Sequence, residues 1–414
     1  MKSKLKKAIY SGIMVLMGIG ITVFFIEIGA MIVSTVRYDK YHSATELFSR
    51  QESENNFIEE ITRDKGSCRY IDTLFPHPYL GFVHHANPPC GISYVNNIGL
   101  FGEDFPSEKP SERFVILLTG GSVAAQFAQM MPPPAPKYLE ELLNEKFISP
   151  NGKPFLILNG GDGGWKQPQS LILFLQYADV LDAVVTLDGF NEHYMIGSSS
   201  RFEFPSNNFM TVNPLVTKNY GQVVTYWVAG KFAGEISSHS VLRHSHAAFL
   251  FTQGLLHFIK SYGGHEGNQV RTSMGTIFGL PPGWSKGKKV DWAIGQYKKY
   301  IQAMDAVASQ RQVRAIHFIQ PIPGYGKKLT KQELEVVGSV DYAKVYLPMT
   351  EELLQLNKHG STVISLLDVF EKIEDTIYAD HIHPVRYKGE SKGYSIMADR
   401  IGNELALAWN LRSR

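Results

Sequence analysis

The sequence predicts an α/β chain: a doubly wound parallel sheet behind an N-terminal membrane-crossing helix, interrupted by one large insertion. Three observations predict it. Short, continuous apolar runs alternate with helix-like stretches, the rhythm of β-α-β units. Three of those runs lead into glycine, at the strand ends where open α/β sheets carry their functional groups. A lysine cluster also precedes a long apolar stretch at the N-terminus. The 414 residues exceed one typical domain and fit one large domain with attachments. With 41 basic against 39 acidic residues, the charge balance gives no electrostatic case for a nucleic-acid partner.

Residues 1–36 read as a cytoplasmic tail and anchor. Lys2, Lys4, Lys6 and Lys7 lead into a stretch from Ala8 to Val36 whose only charge is Glu27, long enough for the roughly 20 apolar residues that cross a bilayer. Basic residues crowd ahead of it, whereas Arg37, Asp39 and Lys40 nearly balance behind it, so the positive-inside rule places the remainder outside the cytoplasm. A cleaved signal peptide is the competing reading, but the run exceeds an h-region of about 7–15 residues, and Ile28 spoils the small-residue pattern before Ala30. Glu27 falls near the outer interface, within reach of water. Cys68 and Cys90 lie beyond the anchor and can pair if that side is oxidising; buried free thiols are the alternative, and zinc-ligand spacing is absent.

Residues 37–110 read as a juxtamembrane and wrapping segment. Its later part, HPYLGFVHHANPPCGISYVNNIGLFGEDFP, is rich in Pro, Gly, Asn and aromatics without helical period. Residues 111–414 read as the main domain. RFVILLT (113–119), PFLILN (154–159), AVVTLDG (183–189) and VRAIHFIQP (313–321) are the buried parallel strands, with a further short one at 362–366. Helix-like stretches fall at 137–147, 168–179, 291–312 and about 393–409. An insertion at about 195–290 breaks the rhythm and suits a lid or platform beside a site at the strand ends, or an ordinary elaboration of the fold.

Four motifs carry chemistry. In LLTGGSVA a strand ends in two glycines and Ser122 opens a helix, where a hydroxyl can be exposed beside its own backbone N–H; alone, Ser122 is equally a helix N-cap. It is not a G-x-S-x-G elbow, because Ala124 stands at the last position, nor a phosphate loop, because no Gly-Lys-Ser/Thr follows. LNGGDGGWKQPQ places glycine amides after the next strand. TLDGFNEHY sets Asn191 after a glycine turn, as a turn residue or as an amide aimed at a developing oxyanion. YADHIHPVRYKG sets Asp380 three residues before His383, so the carboxylate can orient the imidazole; Asp380, His381 and His383 as a metal site is the weaker alternative, for want of further ligands.

In this order the four motifs resemble the blocks of the SGNH (GDSL-like) hydrolase superfamily, over about residues 113–409 apart from the insertion. The resemblance implies a flavodoxin-like sheet and a membrane-anchored envelope enzyme. Its catalytic residues would be Ser122 as nucleophile, His383 as base and then acid, and Asp380 as the orienting carboxylate. The oxyanion hole would be the Ser122 and Gly164 amides with the Asn191 side chain, Gly161 and Gly163 being the neighbouring alternatives. His193 and Tyr194 are candidates for substrate contact or for packing. Two positions depart from the pattern: Gly121 stands where Asp precedes the serine, and Glu192 where Asp follows the asparagine. The implied activity is serine ester hydrolysis of an O-acyl ester, an O-acetyl ester of an envelope glycan or lipid included, with no metal or organic cofactor. The alternatives are an O-acyltransferase using the same acyl-enzyme, and a non-catalytic envelope scaffold or glycan-binding protein. The sequence is silent on oligomeric state.

Overall fold

The computed structural model describes residues 2–38, 40–53, 73–85, 94–127, 136–203, 228, 232–255, 279–386 and 390–414. Cys68 and Cys90 lie outside the described residues. The chain divides into two compact units, one of residues 1–70 and 217–269, the other of residues 71–216 and 270–414. The insertion is therefore split. Its middle belongs with the N-terminal helix, and its two ends belong with the sheet.

In the larger unit, a hairpin of β1 (Leu74–His77) and β2 (Gly81–His84) precedes a sheet of five parallel strands. These are β3 (Phe114–Gly120), β4 (Phe155–Gly161), β5 (Ala183–Asp188), β6 (Arg314–Ile319) and β7 (Val363–Ser365). They correspond to the five apolar runs. Every residue of β3 and β5 is buried, as strands covered by helices on both faces must be. The spatial order is β4-β3-β5-β6-β7, with all neighbours parallel. Counted from β3 this is the order 2-1-3-4-5 of a flavodoxin-like sheet, whose connections reverse direction between the first and third strands. The doubly wound expectation is met.

Short helices follow the strands: α3 (Ser122–Phe127) after β3 and α4 (Tyr138–Lys146) before β4. After β4 come α5 (Gln169–Tyr177) and, beyond β5, the single turn α6 (Phe190–His193). The long α7 (Lys286–Arg311) leads into β6, α8 (Ala343–Leu354) lies between β6 and β7, and α9 (Lys392–Trp409) closes the unit. They pack in two groups, α4 with α9, and α5 and α8 with α7. α7 starts five residues before the apolar period suggests, because the Ser285 hydroxyl accepts the Lys288 N–H and starts the helix while its first turn is still Lys- and Gly-rich.

In the smaller unit, α1 (Lys2–Arg37) contains a stretch, Tyr10–Arg37, long and apolar enough to cross a membrane by length and composition. α2 (Ala44–Ser53) and the helical residues 232–238 and 246–255 form a small core with it: Leu47, Phe48, Ile236 and Phe249 are buried together, with Tyr38 packed against them. Glu27 is not simply solvated. It is hydrogen-bonded to the start of residues 246–255.

Candidate active site

The register aligns the carboxyl ends of the central strands, Gly120 lying opposite both Gly161 and Leu187. The segments that leave β3, β4 and β5 therefore emerge side by side at the reversal point, where ligands bind in open α/β sheets. Ser122 leaves β3, Gly164 follows β4 and Asn191 follows β5.

Ser122 Oγ lies 2.7 Å from His383 Nε2, and His383 Nδ1 lies 2.8 Å from Asp380 Oδ2, so residues 261 positions apart in the chain meet. A carboxylate only accepts, so Nδ1 carries the proton and donates it to Asp380, leaving Nε2 to accept from the serine hydroxyl. Asp380 Oδ1 accepts the Ile382 and His383 backbone N–H groups at 2.8 and 2.7 Å. Burial pushes the Asp380 carboxyl up, but the His383 ring and these two amides outweigh it and hold it well below the usual carboxylate range. Both ring nitrogens of His383 are thus hydrogen-bonded to side-chain partners.

On the other side of Ser122, the Asn191 side-chain amide donates to the Trp165 carbonyl at 2.7 Å. A Cβ built on Gly121 would lie only 2.3 Å from Asn191 Nδ2, so the amide occupies the place that a side chain at 121 would take. In the loop after β4, Gly161 N–H donates to Asn159 Oδ1 and Gly163 N–H to Asp162 Oδ1, at 2.9 and 2.7 Å. Gly164, at φ +78°, and Ser122, at the first position of α3, donate their amides to no partner among the described residues. Ser122, Gly164 and Asn191 therefore bring three N–H donors to one end of the sheet.

A buried polar network, not foreseen in the sequence, lies under these loops. Glu192 is fully buried, accepting the Gln167 N–H and the Gly189 N–H at 2.8 Å each, so one carboxylate joins the loop after β4 to the turn after β5. Asp188 accepts from Gln167 Nε2 at 3.1 Å and from the Tyr297 hydroxyl. Burial raises both carboxyls, Asp188 well above its ordinary range with the Glu192 charge adding to the push. Lys166, also buried, donates to the Gln167 and Phe202 carbonyls; burial pushes its ammonium down to about 8, against the pull of Glu192 and Glu203. The wrapping segment reaches the same loop, His84 Nε2 lying 3.1 Å from Asp162 Oδ1 and the Phe82 ring packing on Trp165.

The rim is aromatic. The Phe190 ring is a hub, 5.4 Å from Tyr194, 5.4 Å from Tyr342 and 5.6 Å from His381, whose ring is 6.3 Å from that of His383. His193 is buried among these rings, and burial pushes its imidazole down to about 4, so it is neutral and packed. Tyr194 is 60% exposed and presents a face to solvent. Tyr342 sits in no motif of the sequence, and only its place beside a strand-end loop hints at it.

The fold and site define a class: a serine, histidine and carboxylate hydrogen-bonded in series at the carboxyl ends of a flavodoxin-like parallel sheet. No family description matches the chain, and neither does any curated protein. Among solved structures, the chain is similar to a GDSL-like lipase from Bacteroides thetaiotaomicron (9% identity, TM-score 0.35, covering 73% of this chain and 93% of that one). It is also similar to a lipase/acylhydrolase from Enterococcus faecalis (12%, 0.35, 72% and 98%) and to an acetylxylan esterase from Geobacillus stearothermophilus (13%, 0.35, 75% and 100%).

Proposed function

We propose that the chain is a membrane-anchored serine ester hydrolase acting on an O-acylated glycan outside the cytoplasm. The observation that carries this reading is the continuous hydrogen-bonded series Ser122–His383–Asp380. His383 Nε2 takes the Ser122 proton as Oγ forms a bond to the ester carbonyl carbon, and the ionised Asp380 stabilises the resulting imidazolium. The negative charge that develops on the carbonyl oxygen is met by the Ser122 and Gly164 amides and the Asn191 side chain, donors already in place before reaction. As the tetrahedral species collapses, the carbon–oxygen bond to the alcohol breaks and His383 returns its proton to that oxygen. Water then attacks the acyl-Ser122 ester with His383 again as base, and the acid is released. A glycan hydroxyl that reaches the acyl-enzyme before water receives the acyl group by the same steps, which makes the chain an acyltransferase.

The exposed rings of Tyr194 and His381, with the half-buried Tyr342 ring beside them, support a sugar over a long acyl chain. They offer flat faces with polar handles, suited to a pyranose that presents both C–H and hydroxyl groups. The lysine cluster ahead of the apolar span of α1 supports the orientation.

The test is turnover of 4-nitrophenyl acetate together with labelling by a serine-directed fluorophosphonate. Ser122→Ala abolishes both while the protein stays folded, because the acyl-enzyme cannot form. Wild-type protein that resists the label is a silent scaffold, and wild-type rates in the variant place the nucleophile elsewhere. A labelled acyl donor, with and without a glycan acceptor, separates hydrolysis from transfer.

A further inference from the structure

The one charge in the apolar span of α1 is already occupied. Glu27 accepts hydrogen bonds from the Ser245 hydroxyl at 2.7 Å, from the His246 N–H, and from the Ala247 N–H at 3.3 Å. A helix leaves its first N–H groups without partners inside it, and an acceptor just ahead of them normally closes that end. For residues 246–255 that acceptor comes from α1, 218 positions away for Ser245. Ser34, two turns further along the same face of α1, is buried and pairs its hydroxyl with His246 Nδ1 at 2.8 Å. Tyr38 packs on Phe249. These contacts fix the height of residues 245–255 along α1.

That height follows from helix geometry. At about 1.5 Å per residue, a hydrocarbon layer of roughly 30 Å takes about 20 residues, so a span entered at Tyr10 is left near residue 30. Glu27, and with it the start of residues 246–255, lies at the outer edge of that layer. Close in sequence to this start, the segment exposes large apolar side chains: Phe232 is 50%, Val241 68%, Leu242 41% and Phe251 57% exposed, and the rings of Phe232 and Phe251 are 6.4 Å apart. Ile236 and Phe249 of the same segment are buried against Leu47 and Phe48, so one apolar set faces inward and a second faces out. His239, Arg243 and His244 interleave with the outward set. Exposed apolar groups mixed with basic ones, beside a helix exposed all round over residues 10–26, form the pattern of an element lying in a bilayer interface.

We propose that residues 232–255 are such an interfacial element, docked on α1 through Glu27, with Phe232, Val241, Leu242 and Phe251 in the headgroup–acyl boundary of the leaflet where α1 emerges. The proposal rests on the reading of α1 as an anchor and deepens it. Cleavage after Ala30 would remove Glu27 and uncap residues 246–255, so the proposal requires that α1 is retained.

The test uses the full chain in vesicles of phosphatidylethanolamine and phosphatidylglycerol, with the photoreactive residue p-benzoylphenylalanine replacing Met17, Leu242, Phe251 or Lys358 one at a time. On illumination, lipid adducts seen as mass additions are expected at Met17, Leu242 and Phe251, and none at the exposed Lys358 of the other unit. No lipid adduct at Met17 overturns the anchor reading itself. Adducts at Met17 with none at Leu242 and Phe251, or with cross-links there to a second copy, overturn the interfacial element while the anchor stands. Glu27→Ala, which removes the cap, should lower the adduct yield at Leu242 severalfold and leave that at Met17 unchanged.

Discussion

Replacing Gly121 with alanine adds one methyl group on the Asn191 side of the site, where there is no room for it. The new Cβ would lie 2.3 Å from Asn191 Nδ2 and 3.2 Å from the Trp165 carbonyl oxygen, to which that same amide donates. Gly121 is not among the glycines at positive φ, so its backbone conformation accepts alanine. The Trp165 carbonyl belongs to the main chain, so the group that gives way is the Asn191 side chain. In the proposed mechanism the enzyme then loses one of three oxyanion donors, which costs roughly 10²–10³ in kcat, or about 3–4 kcal/mol. The Ser122–His383–Asp380 series is untouched, so the variant should still take up fluorophosphonate, more slowly. The decisive measurement is a double-mutant cycle on kcat for 4-nitrophenyl acetate, with thermal unfolding as a folding control. If the methyl acts by displacing Asn191, then Gly121→Ala, Asn191→Ala and the pair should all be impaired alike, giving a coupling energy of about 3 kcal/mol. Additive losses, or a Gly121→Ala rate within about twofold of wild type, would refute the reasoning.

Asp380→Asn keeps the shape but removes the acceptor-only partner that fixes the His383 tautomer; kcat should fall by a factor on the order of 10⁴, and a loss of less than about tenfold would show that the imidazole does not need it. His193 is neutral when buried, its ring lying at about 4 against 6.5 when free, so its contribution to stability is complete above 6.5 and is lost as pH falls through 4. That contribution is at most about 3 kcal/mol, and a denaturant-midpoint series should find His193→Phe flatter than wild type across this window. Glu192→Gln turns an NH₂ group toward one of the two backbone donors it now accepts, so unfolding free energy should drop by about 1–3 kcal/mol and kcat should fall with it; unchanged values would mean that the carboxylate does not hold the loops. Tyr194→Ala should raise KM for cellobiose octaacetate while leaving 4-nitrophenyl acetate turnover unchanged, and a parallel loss on both esters would remove the tyrosine from substrate recognition.

The sheet was legible because its strands are buried on both faces, which forces uninterrupted apolar runs such as FVILL, and because each turn to the site needs glycine. Asp380 and His383 were legible as a pair because they are three residues apart. The network beneath them was not. Lys166, Gln167, Asp188, Glu192 and Tyr297 are scattered polar residues in sequence, and only the packing of two loops brings them together away from water. Glu27 was legible as an oddity in an apolar span, but its partners stand some 220 residues away in the part of the insertion that folds with α1. The insertion itself looked like one block beside the site, because no local pattern marks where it passes from one unit to the other.

Gly121 and Glu192, the two departures from the pattern that the motifs resemble, resolve into one arrangement. With glycine at 121, the Asn191 amide can lie against the residue that precedes the serine, pinned to the Trp165 carbonyl. With glutamate at 192, one buried carboxylate reaches both Gly189 and Gln167. Residues 191 and 192 thus grip residues 165 and 167, and the loop that carries Gly164 is tied to the turn that carries Asn191 by two adjacent contacts. In the proposed mechanism, donors held this way need little reorganisation when charge develops beside them, which is the condition for electrostatic catalysis. The rim obeys a different constraint. Tyr194 follows Asn191 by three residues and His381 sits between Asp380 and His383, so groups facing solvent alternate along the chain with groups facing the reacting atoms. The inward groups are fixed by strand ends and buried hydrogen bonds, whereas the outward rings rest on Phe190 and can be exchanged without moving them. In the proposed mechanism, selection of the alcohol portion of the ester then belongs to the rim and bond breaking to the strand ends, a division that would let one scaffold serve different acylated substrates.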